Sequence, residues 1–368
     1  MNIKNNYNEC ITNLACSIRK YFGLEYKHNT LEYVDRLLNE KKTKNVVVIL
    51  FDGMGSRILK RALDKDAFFL KNMVREITTV FPATTTAATI SMRTGLNPVE
   101  HGYLGWYTYI EPLDKTIKMF FGTNKEDGKY NEGFTAVKKR YFNYKEITEE
   151  INDIGKYRAV SLFPFGDNHY KDLDDMLGII EEECKSKGKK YIYAYDEEPD
   201  YTMHNLGPDS NEVIKLINKR SEKVEKLCAN LDDTIVFVIA DHGHIVVDNI
   251  LLDDYPELMS MLERTPSLEE RAVSFKVKEG MQDKFVKLFS KLFGEHFNLY
   301  TKEEIIGSKL FGDGVENPLF KSAIGDFIAI ATDSNKALVT KNNSKLFSQH
   351  AGYSDDEVYI PLIIIDRK

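Results

Sequence analysis

The chain contains 368 residues, of which 42% are hydrophobic and 29% are charged, and its formal net charge at pH 7 is −7. This length and composition allow one large hydrophobic core with a smaller appended lobe. The sequence shows no run of like charge typical of nucleic-acid-binding tails. It also shows no apolar stretch typical of a signal peptide or a membrane span. We therefore expect a cytoplasmic protein that binds neither a membrane nor a nucleic-acid polymer.

Buried β-strands alternate with helical patterns along most of the chain. Segments 45–51 (NVVVILF) and 234–240 (TIVFVIA) are continuous apolar runs, which are typical of parallel strands covered on both faces. Further strands are predicted at 76–80, 156–163, 191–195 and 357–366, and helices at 5–22, 29–41, 171–187 and 209–231. This alternation predicts a doubly wound α/β fold with a mostly parallel central sheet and helices on both faces.

Two segments interrupt this alternation. Segment 103–144 is rich in aromatic residues, and we interpret it as an excursion beside the functional edge of the sheet. Segment 248–348 has elements of its own, namely a strand at 272–277, a helix at 281–293 and a hairpin of 327–332 with 336–340. We predict that residues 1–247 and 349–368 form one catalytic α/β domain and that 248–348 form a small inserted α+β lobe.

A threonine-rich turn stands out in segment 81–102 (FPATTTAATISMRTGLNPVEHG). Three consecutive threonines, 84–86, follow a proline, and the helix predicted at 86–94 ends before Gly95. A hydroxyl at a helix start can attack phosphorus, because the free N–H groups there accommodate the anionic product. The alternative is that these threonines only cap the helix. The rest of the chain has to decide between the two.

Seven polar residues lie at or near predicted strand ends, where open α/β sheets bind their ligands. They are Asp52, Thr85, Asp200, His204, Asp241, His242 and His350. Taken singly, such an aspartate is usually a turn former or a cap, and such a histidine is usually part of a structural hydrogen bond. Taken together, they have the composition of two divalent-metal sites.

The spacing of these residues supports two metal sites. Asp200 and His204 are four residues apart, so one helical turn directs both towards one ion. Asp241 and His242 directly follow one strand. Carboxylate and imidazole ligands without thiolates suit Zn²⁺, or alternatively Mn²⁺, in a catalytic site. Two ions about 4 Å apart can bind the attacking and leaving oxygens of phosphoryl transfer, and a hydroxyl bound to one of them becomes a nucleophile near neutral pH.

Five sequence blocks follow one another in a characteristic order. They are LFDGMG, FPATTTAATISMRTGLNPVEHG, EEPDYTMHNLGP, VIADHGH and HAGY. In this order they resemble the nucleotide pyrophosphatase/phosphodiesterase branch of the alkaline phosphatase superfamily, over the range 52–350. The resemblance implies an alkaline-phosphatase-like fold and a zinc-dependent hydrolase.

The resemblance also implies a role for each residue. One zinc would be held by Asp52, Asp241 and His242 together with the nucleophile, and the other by Asp200, His204 and His350. The nucleophile falls on Thr85, three residues after the proline, and it would form a covalent phosphothreonine intermediate. Thr84 and Thr86 are its neighbours and stay open as alternatives. His244 is interpreted as a partner that orients His242 or Asp241.

The chain departs from the branch pattern after the HG dipeptide. Relatives place an asparagine there to hold a phosphate oxygen, and this sequence has Gly105-Trp106. Trp106 cannot replace an amide, because its indole offers a single donor on a bulky ring. We expect Trp106, Tyr107 and Tyr109 to form an aromatic wall that would stack on a base or cover an apolar substituent of the substrate, with Trp106 and Tyr107 as the substrate-binding residues. The alternative is that these rings only pack the excursion onto the core.

The combined prediction is a two-metal hydrolase that cleaves a phosphodiester or pyrophosphate bond in a small, nucleotide-type phosphorylated substrate. The alternatives are a phosphomonoesterase or phosphonate hydrolase on the same scaffold, and a catalytically silent sensor of a metal or a phosphorylated ligand. A monoester needs additional cations for its extra charge, and the motif blocks supply only Arg93. This scarcity favours the diester.

Overall fold

The computed structural model describes residues 4–166, 169–332, 334–341 and 346–368. The helices are α1 (Ile11–Phe22), α2 (Glu32–Lys41), α3 (Ser56–Ala62), α4 (Phe68–Asn72), α5 (Thr85–Thr94), α6 (Pro98–His101), α7 (Phe134–Tyr141), α8 (Ile147–Ile154), α9 (Leu173–Lys185), α10 (Asp200–Leu206), α11 (Asn211–Ala229), α12 (Pro256–Ser260), α13 (Gln282–Phe293), α14 (Lys302–Gly307), α15 (Phe320–Ala323) and α16 (Asp355–Val358). The strands are β1 (Asn45–Phe51), β2 (Met73–Thr78), β3 (Tyr107–Ile110), β4 (Lys115–Lys118), β5 (Thr123–Asn124), β6 (Arg158–Leu162), β7 (Lys190–Asp196), β8 (Thr234–Ile239), β9 (Ile245–Val246), β10 (Asp248–Leu251), β11 (Ser267–Leu268), β12 (Ala272–Phe275), β13 (Phe297–Thr301), β14 (Phe327–Ala331), β15 (Lys336–Val339), β16 (Ser348–Gln349) and β17 (Tyr359–Arg367). In the described part of the chain, none of the helices is both long and apolar enough to cross a bilayer.

The central sheet has six strands in the order β2-β17-β8-β1-β7-β6. Strands β6, β7, β1 and β8 run parallel, and β17 is antiparallel to both of its neighbours. Every residue of β1, β7 and β8 is buried, as expected for strands covered on both faces. The prediction of a mostly parallel α/β sheet is therefore confirmed.

The strand directions bring distant parts of the sequence to one edge of this sheet. The parallel strands β1, β7 and β8 all end there, so the residues that follow them are neighbours in space. The antiparallel strand β17 begins at the same edge, because Tyr359 pairs with Thr78 at the end of β2. The segments before β17 and after β2 therefore reach the same place. These connections carry the predicted site residues.

A second, seven-stranded sheet has the order β13-β14-β12-β11-β3-β4-β5. It combines strands of the aromatic excursion with strands of segment 248–348, since β3 pairs with β11 through Tyr107 and Leu268. Its pairs are antiparallel, and helix α13 packs three buried phenylalanines (285, 289 and 293) into a separate hydrophobic cluster on it. The proposed division into a catalytic domain and a 248–348 lobe stays a prediction.

The predicted hairpin in this region is wrong. Strand β14 pairs with β12 and β13 in the second sheet, whereas β15 pairs with β10 in a separate two-stranded sheet. All five residues of β14 are buried, and an interior position with a strand on each side satisfies its backbone groups. A hairpin partner is therefore not needed.

Candidate active site

Thr85 is the first residue of helix α5 and lies in a buried position. Thr84 precedes it in an extended conformation (φ −140°, ψ 149°), which ends the turn from β2 and starts the helix. The Thr85 hydroxyl oxygen lies 3.3 Å from Oδ2 of Asp52 and 3.2 Å from Nε2 of His242. The helix start therefore presents this hydroxyl to a carboxylate and an imidazole from two neighbouring strand ends.

Asp52 and Asp241 follow the parallel strands β1 and β8. Oδ1 of Asp241 accepts hydrogen bonds from the backbone N–H groups of Gly53 and His242, both at 3.0 Å. Oδ2 of Asp241 is buried, has no hydrogen-bond partner among the described residues and lies 3.7 Å from Nε2 of His242. Gly53 has a φ of +72°, and a Cβ at this position would meet Asp200. A glycine after Asp52 thus lets the connection that follows β1 approach the start of α10 closely.

A second group of side chains lies beside the first. Asp200 and His204 face each other across one turn of α10, with Oδ2 and Nε2 3.3 Å apart. His244 approaches the other oxygen of Asp200, with 2.5 Å between Nε2 and Oδ1. His350 completes the group, and its Nδ1 lies 3.1 Å from the carbonyl oxygen of Ala83. Since the rings of His350 and His242 stack with centroids 3.9 Å apart, the two groups form one continuous site.

Burial and the neighbouring charged groups shift the pKa values of the three carboxyl groups in this site. Burial raises the pKa of Asp52 well above its usual value, and the nearby charge of Asp200 adds to the effect. Burial and the charge of Asp52 likewise raise the pKa of Asp241. Burial also tends to raise the pKa of Asp200, but His204 and His244 outweigh it and bring that pKa well below the usual range. Three carboxylates so close together, two of them buried and the third half-buried, need a compensating positive charge.

The residues fit divalent cations. One atom from each of Asp200, His204, His244 and His350 lies within 4.8 Å of the others, and the same holds for Asp52, Asp200 and His242. The unpartnered Oδ2 of Asp241 adds a buried acceptor that a cation would satisfy. Oxygen and nitrogen donors of this kind suit zinc or manganese. All six predicted ligands and Thr85 are thus brought together, and their assignment to two metals stays a prediction.

Two residues of the site differ from the sequence prediction. Tyr195 was not predicted to belong to it, and His244 has other partners than expected. The hydroxyl of Tyr195, from the end of β7, donates a hydrogen bond to Oδ2 of Asp52. His244 was expected to orient His242 or Asp241, but its hydrogen bonds go to Asp200 and to Oγ of Ser348. The only available indication for His244 was its place two residues after His242.

Tyr107 begins strand β3 of the second sheet, and Trp106 directly precedes it. The backbone N–H of Trp106 donates a hydrogen bond to Oε1 of Glu269 at 2.6 Å. The Trp106 ring packs edge-on against the rings of Phe120 and Phe121, with centroids 5.9 and 6.0 Å apart. Tyr107 has the ammonium group of Lys125 over its ring, 4.7 Å from the centroid. Both side chains are half-buried. Packing accounts for part of their contacts, and substrate binding by either stays a prediction.

Arg93, the cation considered for a monoester, is engaged elsewhere. Its guanidinium donates to both carboxylate oxygens of Glu146 and lies over the ring of Phe163. It stands in the last turn of α5, whereas Thr85 stands in the first. Arg93 is eight positions after Thr85, which corresponds to about 12 Å along the helix axis. Arg93 is therefore not placed to bind a phosphoryl group at Thr85.

A sequence model described as type I phosphodiesterase / nucleotide pyrophosphatase matches residues 46–354, which is most of the chain. The chain belongs to this family. The resemblance recognised from the five motif blocks is thereby confirmed. Membership of this family supports phosphodiester hydrolysis as the chemistry of the chain. A small nucleotide-type substrate fits the family.

Solved structures with the same fold include mammalian members of this enzyme group. The murine ectonucleotide pyrophosphatase / phosphodiesterase 5, solved as an inactive variant in complex with AMP, is 20% identical with a TM-score of 0.65, covering 86% of this chain and 87% of that chain. The human ectonucleotide pyrophosphatase / phosphodiesterase 5 is 18% identical with a TM-score of 0.66, covering 87% of each chain. These similarities confirm the alkaline-phosphatase-like α/β fold.

Proposed function

We propose that the chain is a two-metal phosphodiesterase or nucleotide pyrophosphatase that reacts through Thr85. One observation carries this proposal: the Thr85 hydroxyl lies at a helix start, within 3.4 Å of Asp52 and His242 and inside a group of acidic and imidazole side chains that fits divalent cations. A nucleophile, ligands for its activation and free helix N–H groups are thus combined in one place.

The chain's own residues suggest an order of events. The Thr85 hydroxyl loses its proton, its Oγ attacks the phosphorus, and the bond from phosphorus to the leaving oxygen breaks. The leaving oxygen takes up a proton, and the phosphoryl group stays on Thr85 with its remaining ester substituent. The backbone N–H groups in the first turn of α5 face the negative charge that develops on the phosphoryl oxygens. Water then breaks the bond to Thr85 and restores its hydroxyl.

Two divalent cations, preferably zinc, would be held by Asp52, Asp241 and His242 and by Asp200, His204 and His350. Bound there, they would supply Lewis-acid stabilisation of the attacking and leaving oxygens. The orphaned Oδ2 of Asp241 and the crowding of the three carboxylates support this assignment. His244 is a further donor in the second group.

A diester substrate is supported by the charges around Thr85. Arg93 is paired with Glu146, and the second sheet contributes to the turn before Thr85 a carboxyl group, Glu269, and not the additional cation that a monoester needs. The murine relative was solved as an inactive threonine-to-alanine variant in complex with AMP. This supports a nucleotidyl group and a threonine nucleophile here. The predicted cytoplasmic location is untested and stays a prediction.

The test compares hydrolysis of bis-p-nitrophenyl phosphate and p-nitrophenyl phosphate by the zinc-loaded protein. We expect a strong preference for the diester, and a loss of at least about 10³-fold in Thr85→Ala without loss of metal. Thr84→Ala and Thr86→Ala are the control variants, because each removes a neighbouring hydroxyl and keeps that of Thr85. A preference for the monoester would favour the phosphomonoesterase. Fewer than two metal ions per chain, with no Thr85-dependent rate, would favour the sensor.

A further inference from the structure

Glu269 is a buried carboxyl group that the proposed reaction does not yet use. It lies in the turn between β11 and β12, and only 6% of its surface is exposed. Its Oε1 accepts two hydrogen bonds, one from the Thr84 hydroxyl at 2.6 Å and one from the Trp106 backbone N–H at 2.6 Å. One oxygen atom of the second sheet thus joins the turn before the nucleophile to the segment that follows α6.

The contact with Thr84 changes how helix α5 begins. A threonine at this N-cap position ordinarily accepts a hydrogen bond from a backbone N–H of the first turn. The Thr84 side chain makes no such bond, and its hydroxyl donates to Glu269 instead. The side chain at the N-cap therefore leaves the first-turn N–H groups to other acceptors. Thr85 stands in that first turn, so these groups point to the place where the proposed phosphoryl group would bind.

Burial and neighbouring charges shift the pKa of the Glu269 carboxyl group. Burial raises the pKa of Glu269 to about 8, and Glu270 adds to the shift, whereas Thr84, the Trp106 N–H and the charge of His204 oppose it. The charge of Glu269 in turn acts to raise the pKa of Tyr107 and that of Lys125. The two hydrogen bonds of Glu269 place its carboxyl group between the second sheet and the start of α5.

We propose that Glu269 is a positioning residue that holds the Thr84 hydroxyl away from helix α5 and thereby keeps the first turn open for the substrate phosphoryl group. This inference rests on the proposed function of Thr85. Both hydrogen bonds end on one oxygen, which accepts them in the charged and in the neutral carboxyl group alike. The positioning therefore depends on an acceptor atom and not on charge, and a glutamine can supply that acceptor.

The test is a double-mutant cycle with Glu269→Ala and Thr84→Val on the full-length, zinc-loaded protein. In Glu269→Ala the freed Thr84 hydroxyl caps α5 and competes with the substrate, so we expect kcat for bis-p-nitrophenyl phosphate to fall about 10- to 100-fold. Valine has no hydroxyl to cap the helix. In the Thr84→Val background, the same Glu269→Ala change should therefore lower kcat by less than about 3-fold.

Three controls separate positioning from a structural role. Glu269→Gln should recover most of the rate lost in Glu269→Ala. Metal content and Tm should be the same in Glu269→Gln and the wild-type protein. Glu263→Ala removes an exposed carboxylate of the same region and should leave the rate as it is. If Glu269→Ala does not fold, Glu269→Met, which keeps the length of the side chain but has no carboxyl oxygen, replaces it in both Thr84 backgrounds, and hydrogen exchange gives the deciding readout.

Hydrogen exchange of the backbone amides of Thr86 and Ala87 reports on the cap without any turnover. We expect slower exchange in Glu269→Ala than in the wild-type protein, and a return to the wild-type rate when Thr84→Val is added. Equal losses of kcat in both Thr84 backgrounds, or unchanged exchange, would overturn the positioning role. A wild-type protein without Thr85-dependent turnover would instead overturn the proposed function, and the exchange result would still decide the role of Glu269.

Discussion

The edge of the central sheet and the turn of the second sheet contribute to the same site in different ways. The central sheet supplies Asp52, Asp241 and His242 within three residues of the ends of β1 and β8. The second sheet supplies Glu269 from a turn that is 184 positions beyond Thr85 in the chain (269 − 85). The first kind of contribution follows directly from strand order, whereas the second depends on how two sheets pack.

The two regions also differ in how their charges are balanced. At the strand ends, Asp52 and Asp241 are crowded, and burial raises the pKa of each. In the second sheet, the fully buried Arg271 donates two hydrogen bonds to Glu357, which precedes β17. The strand-end charges are thus left for an external cation, and the charges between the sheets neutralise each other. This comparison indicates that the first region serves chemistry and the second holds the site together.

The largest effect should come from the strand-end region. Asp241→Asn keeps the shape of the side chain but replaces one carboxylate oxygen with an amide. We expect the rate to fall by more than about 100-fold. Even the loss of a residue that only hydrogen-bonds to a metal ligand lowers metal affinity or activity about 10- to 100-fold. Metal content per chain, measured by elemental analysis, should fall with it. Asp209→Asn changes an exposed aspartate near the same edge and is the matched control. Full metal content in Asp241→Asn would contradict its assignment as a ligand.

The second prediction concerns the buried ion pair between the sheets. Arg271→Met leaves the Glu357 carboxylate buried without its cation, so the free energy of unfolding should fall by about 3–5 kcal/mol in urea denaturation. Arg271→Met/Glu357→Leu removes both charges and should recover part of that loss. A double variant that is less stable than Arg271→Met would contradict this account.

The pH dependence of this ion pair has a defined sign. Burial alone would raise the pKa of Glu357, but Arg271 and the hydrogen bonds from Ser354 and Gly352 bring it below its usual value. A carboxyl group with a lowered folded-state pKa stabilises the protein above its unfolded pKa, about 4.3. This contribution is lost as the pH falls through the folded-state value. The stability gap between the wild-type protein and Arg271→Met should therefore narrow in acid.

The sequence allowed the central sheet and the strand-end residues to be predicted because both follow local patterns. Continuous apolar runs locate β1 and β8, and a polar residue directly after such a run must lie at the functional edge. The role of Glu269 had no such pattern. Nothing in SLEE marks a carboxyl group that accepts hydrogen bonds from Thr84 and Trp106.

The hairpin error has the same origin. Segments 327–332 and 336–340 are short, apolar and adjacent, which are the features that predict a hairpin. In the structure, β14 pairs with strands that precede it in the chain, and β15 pairs with β10. Pairing in the second sheet is decided by packing between distant segments, which a single sequence does not display.

The smallest predicted effect separates substrate binding from packing at the aromatic wall. Trp106→Leu keeps the backbone N–H that reaches Glu269 and removes the ring that meets Phe120 and Phe121. If the ring contacts the substrate, KM for a nucleotide diester should rise about 2- to 10-fold with little change in kcat, the equivalent of the 0.5–1.5 kcal/mol of an aromatic contact. Phe121→Leu disturbs the same cluster from its exposed side and should leave KM unchanged. A lowered Tm in Trp106→Leu with an unchanged KM would instead assign the ring to packing, and the second sheet would then contribute only its backbone and Glu269 to the site.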